Sequence, residues 1–246
     1  MCTKQIFVMT SLKRHNRFGI WFLLLAFTLT QCEKGSYSSK EKIDYTGHLE
    51  TIFDLDSNSY MAFGIGTQIW MAQNLRTSRL NNGVKINFVT ENNQWKSLNQ
   101  PGYCWYNNDS IKNERFGTLY NFYTVETGSI CPTGWHVPTQ TDWNILIKSL
   151  KGENVAGGKM KSYYSGFWSY PPDFSNPPTF SAIPGGYRSS ESNRQFTSID
   201  TTGYWWSSIS NIDSGCYSIV LKAGSTVVHS SYLSKQDGLS IRCIKD

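Results

Sequence analysis

The chain carries one long apolar run, Phe18-Gly-Ile-Trp-Phe-Leu-Leu-Leu-Ala-Phe-Thr-Leu29, and the cations Lys13, Arg14 and Arg17 stand directly before it. Wound as a helix, the run reaches about 18 Å at about 1.5 Å per residue, short of a hydrocarbon core about 30 Å thick. A membrane-spanning anchor is therefore the weaker reading. A basic segment followed by a short apolar one is the profile of a secretory signal peptide, and Met9 offers a second start with the same signature. Residues 1–31 are expected to be removed, and the rest to fold outside the cytoplasm, where thiols oxidise.

The run leads into Leu29-Thr30-Gln31-Cys32, which resembles a bacterial lipobox, the site at which a cysteine is acylated and becomes the new N-terminus. Gln31 stands where a small residue is usual, so ordinary cleavage nearby remains the alternative. Several acyl tails on one residue suffice for stable anchoring, and Cys32 is the expected lipid attachment site. Six cysteines are present. With Cys2 lost and Cys32 acylated, Cys104, Cys131, Cys216 and Cys243 remain as disulfide candidates, and spacing alone leaves all three pairings open. No Cys-x-x-Cys pair exists, which argues against a zinc ribbon or a thioredoxin-like centre.

The net charge of +5 is misleading, because Lys4, Lys13, Arg14 and Arg17 all lie in residues 1–31, which hold no acid. The remainder is close to neutral and lacks the basic face that a nucleic-acid partner needs. With 9 Trp, 14 Tyr and 13 Phe, the chain has ample surface to bury and is not a disordered tail. Its preference for Gly, Ser, Thr, Asn, Tyr and Trp excludes a coiled coil or helical bundle.

Residues 32–47 are polar without periodicity and are expected to form a lipidated N-terminus and tether. Residues 48–246 show no break in composition and are expected to form one domain. The clearest helix follows Pro138: Thr139 can cap, Asp142 completes a capping box, Gly152 stops it, and Trp143, Leu146, Ile147 and Leu150 share one face. Leu119, Tyr120, Phe122 and Tyr123 fall in a second, weaker helical pattern. Tyr217–Leu221, Thr226–Tyr232 and Leu239–Cys243, joined by short turns, predict a three-stranded antiparallel meander. Residues 162–194, rich in Pro, Gly and Ser, predict a long loop of the kind that often carries function.

Seven segments together resemble a known family, the Fibrobacter succinogenes major paralogous domain. They are Gly66-Thr-Gln-Ile-Trp-Met-Ala-Gln-Asn-Leu75, Tyr103-Cys-Trp-Tyr-Asn-Asn-Asp109, Phe116-Gly-Thr-Leu-Tyr-Asn-Phe-Tyr123, Cys131-Pro-Thr-Gly-Trp-His-Val-Pro-Thr139, Pro184-Gly-Gly-Tyr-Arg188, Gly203-Tyr-Trp-Trp-Ser-Ser208 and Gly238-Leu-Ser-Ile-Arg-Cys243. The resemblance spans roughly residues 50–246. It implies an exported lipoprotein of the cell envelope, expected at the outer membrane, with no activity established for the family as a whole. A looser likeness extends to C-type lectin-like and formylglycine-generating-enzyme-like folds, which implies an α+β fold: small antiparallel sheets, one or two helices and long loops. By that analogy Cys131 pairs with Cys243, which leaves Cys104 with Cys216.

Candidate sites follow from chemistry. Asp54-Leu-Asp-Ser-Asn58 opens like a calcium loop, but Ser59 and Ile65 stand where that loop needs Gly and a bidentate Glu; a hairpin turn is the better reading, and no metal or cofactor is expected. A hydrolase needs a nucleophile beside a base, and the domain offers only His48, His136 and His229 with no Gly-x-Ser-x-Gly elbow. His136, inside a fold-defining motif, reads as structural, and no enzyme is expected. Trp70, Trp135, Trp143 and Trp205 read as core. Trp95, Trp105 and Trp168 lie in polar loop sequence, and aromatic faces stack on sugars. With Asn107, Asn108 and Asp109, whose oxygens also suit a turn, and with Tyr187 and Arg188, they form the expected ligand-binding set. The expected partners are the membrane, through the lipid, and an extracellular polysaccharide or, alternatively, an envelope protein.

Overall fold

The hairpin expected at Asp54–Asn58 is the first pairing of the fold. A computed structural model describes residues 45–162, 166–168, 180–191, 195–211 and 215–246. The signal segment, Cys32 and residues 33–44 of the tether lie outside the described residues. Strand β1 (Tyr45–Phe53) turns into β2 (Ser59–Ile65), which turns into β3 (Gln68–Met71), all antiparallel. Strand β1 thus includes Tyr45–Gly47, which the sequence reading places in the tether. Asp54 holds the first turn, accepting from the backbone N–H groups of Asp56 and Asn58 at 2.9 Å each and from the Tyr60 hydroxyl at 2.6 Å. Asp56 accepts from Ser78 N–H at 2.6 Å and Arg79 Nε at 2.7 Å. Both carboxylates are engaged in stitching the hairpin, as a turn requires.

The chain continues through β4 (Asn87–Phe88), α1 (Asn92–Lys96), β5 (Gly102–Cys104), α2 (Ser110–Asn113), β6 (Leu119–Tyr120), α3 (Phe122–Glu126) and β7 (Trp135–His136). Then come α4 (Gln140–Ser149), α5 (Glu153–Met160), β8 (Gly185–Arg188), β9 (Phe196–Ile199), β10 (Thr202–Asn211), β11 (Gly215–Lys222), β12 (Val228–Leu233) and β13 (Ile244–Lys245). Three sheets result, in the orders β1-β2-β3-β13-β7, β12-β11-β10-β8-β9 and β4-β5-β6. The architecture is α+β, mostly small antiparallel sheets.

Helix α4 forms where its signals stand. Thr139 and Asp142 make the capping box, Trp143, Leu146 and Leu150 are buried, and Gly152 closes the end by donating to Ile147 O at 2.9 Å. Helix α5 is not among the expected elements, and it carries Gly157 and Gly158, residues of low helix propensity. A Cβ on Gly157 would meet the carbonyl oxygens of Val227 and Thr226 at 2.7 and 2.8 Å, so the glycine is what lets the helix lie against the chain entering β12. The expected helix over 119–123 is instead a strand, β6, followed by α3. Asn121 divides them, its side chain accepting from Thr124 N–H at 3.1 Å as an N-cap. The expected loop 162–194 contains β8, and much of it lies outside the described residues.

The meander needs correction at its third strand. Strands β11 and β12 pair as expected, but Gly238–Cys243 does not lie beside β12. Gly238 N–H donates to Arg188 O at 2.8 Å, Leu239 N–H to Tyr120 O at 3.0 Å and Ser240 N–H to Tyr204 O at 3.2 Å. Leu75 N–H then donates to Ile241 O at 2.9 Å and Met71 N–H to Cys243 O at 3.1 Å. One segment thereby sews together all three sheets. Its alternation of Leu239, Ile241 and Cys243 looked like one buried face, yet Ser240 and Arg242 are buried as well.

A disulfide joins Cys131 to Cys243 across 112 residues, with Cα atoms 6.0 Å apart. The second expected bridge is absent: Cys104 and Cys216 are both buried and unpaired. Cys104 packs with Val89, Trp95, Leu98, Tyr106 and Leu119, whereas Cys216 lies in the cluster around Tyr120, Phe122 and Trp206. The two thiols thus pack among different neighbours, and no bond joins them.

Candidate functional site

Arg188 and Trp95, expected to meet a ligand, are interior. Both are 0% exposed, and the Arg188 guanidinium lies 4.4 Å over the Trp95 ring and 5.1 Å from that of Phe196. Arg188 donates to Val89 O at 2.6 Å and Thr90 O at 2.9 Å, and Trp95 Nε1 donates to Gln236 O at 2.6 Å. These bonds satisfy polar groups that the local sequence made look solvated. Gly238 permits the stack, since a Cβ there would come within 2.9 Å of the Trp95 ring. Burial pushes the Cys104 thiol up to about 11, although the adjacent Arg188 guanidinium pulls the other way.

Trp168 is 5% exposed, and its indole N–H donates to Ala182 O at 3.0 Å. Over its ring, at 4.8 Å, sits Lys161 Nζ, which donates to Lys222 O at 2.6 Å and Ser225 O at 2.5 Å. Burial pushes the Lys161 ammonium down to about 8. Tyr187 is half-buried, with its ring 4.7 Å from that of Tyr204. Trp95 and Arg188 therefore share one interior stack and Trp168 another, which corrects the expectation that they present a binding surface.

Trp105 is half-buried and opens the segment that carries Asn107, Asn108 and Asp109. Asn107 and Asn108 adopt φ of 51° and 55°, a conformation that Asn tolerates better than most residues. Asn108 donates to Thr90 O at 3.2 Å, while Asp109 caps α2 by accepting from Lys112 N–H at 3.1 Å. That hydrogen bond holds the Asp109 carboxyl below its usual range. The turn reading of this cluster is the one its hydrogen bonds follow, and Asn107 alone of the three is exposed.

The sequence reading missed a polar hub in the core. Asn74 Oδ1 accepts from Trp205 Nε1 at 2.8 Å and from Arg242 Nε and Nη2 at 3.2 and 2.7 Å. Its Nδ2 donates to Phe116 O at 2.8 Å and Ser240 Oγ at 3.3 Å. Arg242 also donates to Phe180 O and stacks 4.3 Å from the Phe180 ring. These partners are a side-chain amide and a backbone carbonyl, and burial pushes the guanidinium down to about 9. No local signal marked it, because an arginine between Ile241 and Cys243 is also what a half-exposed strand shows. His136 lies between Asp246 Oδ1 at 2.7 Å and Asp142 Oδ2 at 3.3 Å, tying Asp246 to the cap of α4.

Open surface is found elsewhere. A cleft of about 360 Å³ runs along the outer side of β2, lined by Met61, Phe63, Ala72, Gln73, Arg115, Ser162, Phe167, Ser181 and Ile183. A smaller recess of about 210 Å³ lies under the β1–β2 turn, beside Asp54, Arg79 and Thr133. Another of about 220 Å³ lies between α4, α5 and β12, beside Glu153 and His229. Leu49, Phe53, Leu55 and Met61 on the hairpin are 43%, 62%, 56% and 43% exposed. Among the described residues, no three His, Cys, Asp or Glu side chains gather as a metal site requires, and no helix is long and apolar enough to cross a membrane.

The fold is thus an α+β domain closed by its own C-terminal segment, with Trp95, Trp168 and Arg188 turned inward and a cleft beside β2. The sequence pattern of the Fibrobacter succinogenes major domain matches residues 64–245, and the chain belongs to that family. No curated protein and no solved structure matches it. The match begins at Gly64, so β1 and most of β2 precede the shared domain.

Proposed function

We propose that this chain is an exported, lipid-anchored, non-catalytic protein of the cell envelope, whose domain holds an extracellular ligand in the cleft beside β2. What carries the reading is where polar and aromatic chemistry has gone. Of the domain's tryptophans, Trp70, Trp95, Trp135, Trp143, Trp168, Trp205 and Trp206 are all buried. A polysaccharide platform would have to rest on Trp105 without Trp95 or Trp168, while the β2 cleft combines apolar walls with a few polar groups, as ligand sites commonly do. Its volume of about 360 Å³ also suits a small ligand.

A non-catalytic role fits the thiols. An oxidase of the formylglycine-generating kind would need a reactive cysteine, and burial pushes Cys216 up to about 12. A thiolate is the reactive form, and an interior thiol so placed is inert. The finer fold assignment, C-type lectin-like, is supported by the disulfide from the segment before α4 to the last residues of the chain.

A second reading, an adhesion or scaffold component with a protein partner, is favoured by the exposed Leu49, Phe53 and Leu55 on the hairpin, since exposed apolar groups mark interaction surfaces. Crosslinking in intact cells separates the two. The ligand reading expects no dominant protein adduct, and an adduct lost in a Phe53→Ser, Leu55→Ser double variant would replace it with the second. Labelling with an alkyne fatty acid tests the anchor: Cys32→Ser should abolish incorporation, and an unlabelled wild-type protein would remove lipid attachment from the account.

A further inference from the structure

The β2 cleft has an asymmetry in its polar groups. Arg115 lies on its wall with its guanidinium 4.7 Å from the Phe116 ring and 5.4 Å from the Phe167 ring. The neighbouring acid, Glu114, is committed to Arg76 at 3.1 Å, and no carboxylate pairs with Arg115 among the described residues. Across the cleft, Gln73 Oε1 already accepts from Met61 N–H at 2.8 Å, so the acceptor half of that amide is engaged and the donor half remains. The rest of the lining that matters here, Met61, Phe63 and Ile183, is apolar.

From this we infer that the ligand is a small organic acid: an apolar body on the Met61, Phe63 and Ile183 surface, with its carboxylate received by Arg115. A guanidinium offers paired N–H donors in the geometry that a carboxylate accepts. Held against two phenyl rings, it has fewer orientations to lose on binding. A neutral sugar would gain no ion pair from it, and a cation would be repelled by it. The inference rests on the reading that the β2 cleft is the ligand site.

The test uses the purified full-length protein with 4-phenylbutyrate, its uncharged amide and galacturonate, measured by titration calorimetry and ligand-observed NMR. The acid should bind saturably at one site, the amide about two- to fivefold more weakly, as loss of an ion pair to an exposed guanidinium predicts. Arg115→Met, which keeps an apolar side chain at an exposed position, should weaken the acid by the same factor and leave the amide unchanged. Met61→Asp, also at an exposed position, should weaken both. Acid and amide binding equally, with Met61→Asp impairing both, would overturn the anionic ligand and keep the cleft. Galacturonate binding more tightly than phenylbutyrate, with loss in Arg115→Met, would overturn the apolar body in favour of an acidic sugar. Saturable binding by none of the three would overturn the inference together with the cleft as ligand site.

Discussion

The two extended segments that bound the domain, the β1–β2 hairpin and Gly238–Cys243, are made of similar alternating sequence and have opposite fates. Among the described residues β1 is last in its sheet, and the hairpin exposes Leu49, Phe53, Leu55 and Met61. The C-terminal segment exposes nothing: each residue from Gly238 to Cys243 is buried, and its backbone bonds reach Arg188, Tyr120, Tyr204, Leu75 and Met71. The family match includes the second and begins too late for most of the first. Alternation alone therefore does not say how deep a strand lies. Depth is set by whether polar residues between the apolar ones find interior partners, as Arg242 does in Asn74.

If the C-terminal segment is the lock and the hairpin an accessory, energies should divide accordingly. The largest effect is expected from opening the Cys131–Cys243 bridge. Closing a loop of 112 residues contributes about 4 to 5 kcal/mol in the chain-entropy model. Urea unfolding of the Cys131→Ser, Cys243→Ser double variant measures it, and a loss under about 1 kcal/mol would deny the segment its role.

Next comes Asn74→Leu, which strands the Arg242 guanidinium in the core. Breaking a buried charge's partnership costs about 3 to 5 kcal/mol, whereas replacing the charge itself with an apolar group costs less. Arg242→Met should consequently be milder than Asn74→Leu in the same assay. The reverse order would show that Arg242, and not its amide partner, is what the hub depends on.

An intermediate effect is expected at Lys161, and it depends on pH. Burial places this ammonium at about 8 in the folded chain against 10.5 ordinarily. Between those values the unfolded chain binds the proton that the folded chain has released, so stability at this residue rises with pH by up to about 1.4 kcal/mol per unit. Below pH 8 the charged form is present in both states and the full burial cost applies. The difference in unfolding free energy between wild type and Lys161→Met, followed from pH 7 to pH 10, should grow in favour of the wild type; a flat difference would contradict the burial of the amine. The smallest effect belongs to the hairpin: Phe53→Ser, at 62% exposure, should shift stability by no more than about 0.5 kcal/mol.

Local chemistry was legible in the sequence where it acts locally. The capping box of Thr139 and Asp142, the Asp54–Asn58 turn and the β11–β12 pairing depend on residues within a few positions of each other, and all three form. The candidate site was far less legible. Trp95 and Trp168 stand in polar sequence, and their burial depends on carbonyls of Gln236 and Ala182, 141 and 14 residues away. Arg188 likewise reaches back to Val89 and Thr90. The pairing of Cys131 with Cys243 came only through family resemblance, and the same analogy failed for Cys104 and Cys216, which pack in different clusters. The cleft had no signature at all, because Met61, Arg115 and Ile183 come from separate parts of the chain.

The latch at the C-terminal segment is tested most directly by a non-reducing peptide map of protein alkylated before and after unfolding. Cys131 and Cys243 should appear in one linked pair, with Cys104 and Cys216 unlabelled in the folded chain and fully alkylated once it is unfolded. A peptide linking Cys104 to Cys216, or either of them to Cys131 or Cys243, would contradict the arrangement of the core on which every other conclusion stands.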